Sequence, residues 1–76
     1  MIALTVTDLE TRIAELEAEA HKARQMANRA DELADECNTP EGEAILRSEA
    51  DNLWFYVGEI HDRIERMRRT MALLGV

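Results

Sequence analysis

The chain is predicted to be all-α: an antiparallel helical hairpin, a two-helix coiled coil with an alanine-rich seam, dimerising into a four-helix bundle. Three observations lead there. Apolar residues recur in steps of three and four on both sides of Asn38-Thr39-Pro40. Before it run Val6, Leu9, Ile13, Leu16, Ala20, Ala23, Ala27, Ala30, Ala34 and Cys37; after it run Leu46, Ala50, Leu53, Val57, Ile60, Ile64, Met67, Met71 and Leu74. That spacing lines each set along one stripe of a helix, and a short breaker folds the second stripe back on the first. No Gly or Pro interrupts Asp8 to Cys37, where the helix formers Ala, Leu, Glu and Arg dominate. Finally, 76 residues suffice for one small domain and no more.

The elements follow in order. Residues 1–6 alternate Ile2, Leu4, Val6 with Ala3 and Thr5, the pattern of an extended tail or a short strand. The first helix is expected over residues 7–37. Thr7 and Glu10 form a capping box, and Thr5 with Asp8 offers a competing one, with a Leu4–Leu9 staple. Residues 38–39 make the turn. Thr39 caps a second helix over 40–74, with Pro40 at its first position, where the missing N–H costs nothing, and Gly75 as terminator. Each helix is about 30 residues and about 45 Å long. The whole chain, 1–76, is a single hairpin domain.

With Leu9 and Leu46 taken as heptad d positions, antiparallel layers pair a residues with d residues. The tight-turn register sets Ala34 against Leu46, Ala27 against Leu53, Ala20 against Ile60, Leu16 against Ile64 and Leu9 against Met71. Beside those layers it brings Glu10 to Arg68, Glu17 to His61, Asp31 to Arg47, Glu19 to Arg63, Arg24 to Trp54 and Met26 to Tyr56. Only Leu33 with Glu49 is discordant. A slide of one heptad sets Glu17 on Arg68, Arg24 on His61 and Asp31 on Trp54. Surface pairs, at about 0.2–1 kcal/mol each, choose a register rather than make stability. The seam is lopsided: alanine fills five successive positions of the first helix and faces mostly large residues. Alanine methyls bury little area, so two helices alone form a thin core that calls for further cover.

The bulk composition narrows function. The chain is 33% charged and 46% apolar, which is foldable, and its net charge of −7 disfavours a general nucleic-acid or anionic-membrane binder. The longest apolar run, Leu53 to Val57, is far short of a membrane span, for which about 20 residues are needed. A lone cysteine forms no internal disulfide, and Cys37 is expected as a small seam residue; a reducing cytoplasm is the expected location.

Three groups are candidate functional surfaces. Trp54, Phe55 and Tyr56, all the aromatics of the chain, fall at e, f and g, with Phe55 farthest from the other helix and Gly58 a turn away. Together with Met26 and Leu33 they are the expected partner or dimer interface, because aromatics concentrate in interface cores. Glu32, Asp35, Glu36, Glu41 and Glu43 make an acidic tip that would suit a basic partner, or simply a solvated loop whose acids favour the second helix's N-terminus. Arg63, Arg66 and Arg69 could grip phosphates, but lack interleaved aromatics and also suit a helix C-terminus.

No catalytic, metal or cofactor site is expected. His21 and His61 lie at b and e, off the seam, and the Glu-x-x-His pairs of di-iron bundles are absent. Glu32-x-x-Asp35 and Glu49-x-x-Asn52 are similar in spacing to the magnesium carboxylates of all-α nucleotide pyrophosphohydrolases, but they fall at f, b, g and c rather than around one pocket. The expected function is therefore a non-enzymatic protein–protein interaction module, a homodimer that binds a partner protein as adaptor, inhibitor or assembly factor. In architecture alone, a dimerising hairpin resembles the plasmid Rop-type RNA-binding proteins. That resemblance implies the alternative, RNA or DNA binding through the C-terminal arginines.

Overall fold

A computed structural model describes residues 5–75. Two helices, α1 (Val6–Glu36) and α2 (Pro40–Leu73), pack antiparallel along their lengths into a rod of 55 × 22 × 14 Å. Residues 1–4, and with them the tail-or-strand reading and the Leu4–Leu9 staple, lie outside the described residues.

The caps explain the boundaries. Thr5, not Thr7, is the N-cap of α1: its Oγ1 accepts the Asp8 N–H at 3.2 Å, and the Asp8 carboxylate accepts the Thr5 N–H at 3.0 Å. The reciprocal pair satisfies two helix-end groups at once, and starting earlier adds helical residues at no cost in caps. These bonds hold the Asp8 carboxyl below its ordinary value, the Thr5 backbone N–H contributing most.

At the turn, the Cys37 N–H returns to the Ala34 carbonyl at 3.2 Å, and the Thr39 Oγ1 accepts the Gly42 N–H at 3.1 Å with Pro40 behind it. Cys37 is half-buried, its sulfur folded over the first turn of α2. A Cβ on Gly42 would sit 2.5 Å from that Sγ and 2.8 Å from the Thr39 hydroxyl, so a larger residue here would have to displace the Cys37 sulfur and the capping hydroxyl. Gly75, at φ 82°, closes α2 in the left-handed conformation.

The middle of the seam is buried as its spacing demands: Leu9, Ile13, Leu16 and the five alanines of α1 face Ala50, Val57, Ile60 and Ile64 of α2, while Leu46, Leu53, Met67 and Met71 are half-buried and Leu74, expected to continue the stripe, is 52% exposed at the end of α2. The hydrophobic cluster unites Ile13, Leu16 and Ala20 with Ile60 and Ile64, and Met67 and Met71 pack against it. These are the layers of the tight-turn register. Among the described residues Leu16 and Ile60 are the largest fully buried side chains, and most of the others buried to that degree are alanines, so the core is thin.

Candidate interaction surface

In an antiparallel pair, e residues of one helix line up with e residues of the other, and g with g. The hairpin therefore has an e flank and a g flank, one on each side of the seam.

The e flank is closed by bonds between the helices. Arg68 Nη2 donates to Glu17 at 2.7 Å, and Arg24 Nη1 lies 3.0 Å from His61 Nε2. The two Asp31 oxygens accept from Trp54 Nε1 at 3.3 Å and from Arg47 Nη1 at 3.4 Å. Arg47 also reaches Asp35 and Glu43, and these partners, led by the Asp35 hydrogen bond, push its pKa above the ordinary value.

The pairing corrects part of the sequence reading. Arg68 meets Glu17 rather than Glu10, and His61 meets Arg24 rather than Glu17. Those contacts were expected of the slid register, yet the helices have not slid: the core layers and Asp31–Arg47 belong to the tight-turn register. Each e residue lies between two e residues of the other helix, a heptad apart. Helical side chains lean toward their own N-terminus, so on antiparallel helices Glu17 and Arg68 lean toward each other.

The g flank is open. A single interhelical polar bond crosses it among the described residues, from the Tyr56 hydroxyl to Glu19, and this bond raises the Tyr56 pKa. Arg63 and Arg12 lie near enough for their charges to oppose that rise. Met26 is 54% exposed, Leu33 37% and Tyr56 41%. Among the described residues, Glu49, Arg63 and Arg66 form no ion pair in the hairpin, while Arg69 meets Glu65 at 3.8 Å and Arg12 meets Glu15 at 3.6 Å.

The expected interface set is thus split three ways. Tyr56, Met26 and Leu33 share the g flank. Trp54 is committed to Asp31 on the e flank. Phe55, 70% exposed, stands on the back of α2, and a Cβ on Gly58 would meet no other side chain within 4 Å among the described residues. The acidic tip divides too: Asp35 and Glu43 share Arg47, Glu32 meets Arg29 at 3.2 Å, and Glu36 and Glu41 face water. The sequence reading did not single out Ile45, 69% exposed; it gave Arg63 as a phosphate contact and Glu49 as a discordant neighbour of Leu33, without joining them to this flank. The discord of Leu33 with Glu49 was the available signal.

Among the described residues no helix is long and apolar enough to cross a membrane. Comparison with family models, with curated proteins and with solved structures finds no match.

Proposed function

We propose that this chain is a non-enzymatic interaction module, a helical hairpin that works by binding protein across its g flank, in the first instance a second copy of itself in a four-helix bundle. The observation that carries the reading is the contrast between a flank whose polar groups hold one another and a flank of exposed Met26, Leu33 and Tyr56.

The exposed area supports it. The chain presents 5699 Å², whereas a compact monomer of its 8.7 kDa would expose about 4,700 Å². The excess is near the area that one partner contributes to a standard interface, about 800 Å². Two-fold homodimers are also the commonest assembly of soluble chains.

Sedimentation over a concentration series tests the reading. The wild type is expected to dimerise in the micromolar range. Leu33→Asp should weaken dimerisation at least tenfold, while Phe55→Asp on the back of α2 leaves it within about twofold. A wild type still monomeric at high micromolar concentration overturns self-association, and the reverse order of the two variants moves the interface to the back of α2.

A further inference from the structure

Three g positions of α2 follow one another at heptad spacing: Glu49, Tyr56 and Arg63. Tyr56 is the middle one, and the charges on either side of it are opposite in sign and equally distant. Neither charge has an ion-pair partner within the hairpin among the described residues. On α1 the g residues Leu33, Met26 and Glu19 run the same way, with Met26 in the middle.

Resting on the self-association above, we propose that the second copy docks g flank to g flank and head to tail, about a two-fold axis that passes beside Met26 and Tyr56. A two-fold axis lying between the layers, across the rods, places each helix antiparallel on its own counterpart. Met26 then meets Met26 and Tyr56 meets Tyr56, while Glu49 of each copy faces Arg63 of the other, twice per dimer. Arg12, two heptads from Met26, comes to the other copy's acid-rich loop. Docking about a two-fold axis along the rods would instead stack α1 on the other copy's α2, setting Glu49 on Leu33 and Arg63 on Glu19, so that Glu49 is covered without an opposite charge, which costs affinity. The unpaired charges of the g flank thus become the specificity device of the dimer.

The test is a charge exchange followed by sedimentation. Glu49→Arg alone faces Arg63 with arginine, and Arg63→Glu alone faces Glu49 with glutamate, so each should dimerise about tenfold more weakly than wild type. Mixed one to one, the two variants make both contacts complementary, and a heterodimer should form with affinity near that of the wild type. The double variant Glu49→Arg/Arg63→Glu should also recover the homodimer. Circular dichroism of each variant verifies that the hairpin is intact. If wild type dimerises but the mixture does no better than the separate variants, the head-to-tail arrangement is wrong and the interaction reading survives. If wild type does not dimerise at all, the reading beneath it falls as well.

Discussion

Along one flank of the hairpin, Glu17, Arg24, Asp31, Trp54, His61 and Arg68 hold one another; along the other, Met26, Leu33 and Tyr56 are exposed beside a glutamate and an arginine that form no ion pair among the described residues. Both flanks are built on the same seam and the same heptads, so helix formation and core burial do not distinguish them. The difference lies in what the e and g positions carry. Charged and hydrogen-bonding groups of matching reach close a flank from within, whereas apolar side chains too far from the seam to be buried leave it open. An open flank beside a thin seam is where a second layer has the most apolar surface to bury.

The first way to break this comparison is to remove what both flanks rest on. Leu16 is fully buried in the main cluster, and Leu16→Ala should cost about 2–5 kcal/mol. That is a large part of the roughly 4–11 kcal/mol expected for a chain of this size, so the thermal midpoint should fall by about 8 °C or more. Retention of the wild-type melting curve would mean the core lies elsewhere.

Next in size, Met26→Asp should weaken self-association by about thirtyfold, the loss of one interface hot spot, at little cost to the separate hairpin. Analytical ultracentrifugation paired with denaturant melting separates the two effects. Asp31→Ala is the matching change on the closed flank. It frees Trp54 and one contact of Arg47, and should lower the thermal midpoint by about 4 °C or less while leaving association within about twofold. A fall in association instead would place the partner on the e flank.

The smallest effect belongs to neither flank. The Asp8 carboxylate of the α1 cap has its pKa lowered by folding. Its contribution is therefore present above the ordinary carboxylate value of about 3.9 and is lost as pH falls through the lower folded value. Asp8→Asn should flatten that part of the acid dependence of helicity followed by circular dichroism; an unchanged slope would show that the box adds nothing.

Much of the fold was legible because its signals are local and periodic. The seam residues, the Thr39-Pro40 start of α2 and the terminator Gly75 each follow from spacing or backbone chemistry alone. The start of α1 was expected at residue 7, and the sequence could not choose between caps, since Thr5-x-x-Asp8 and Thr7-x-x-Glu10 satisfy the same rule two residues apart. The partners on the flanks were harder still. An e residue has two candidates on the other helix, and the lean of the side chains, not the register, selects between them. The candidate site was readable by residue but not as a surface: Trp54, Phe55 and Tyr56 are neighbours in sequence, and a helix turns each about 100° from the last, onto three different faces.

The most direct measurement is oxidative crosslinking of cysteines placed on each flank in a Cys37→Ser background. Met26→Cys lies beside the expected two-fold axis and should form a covalent dimer readily at micromolar protein. Arg24→Cys, at a similar height on the closed flank, should remain almost wholly monomeric. Equal yields from the two positions, or a higher yield from Arg24→Cys, would contradict the assignment of the g flank as the surface this hairpin offers to a partner.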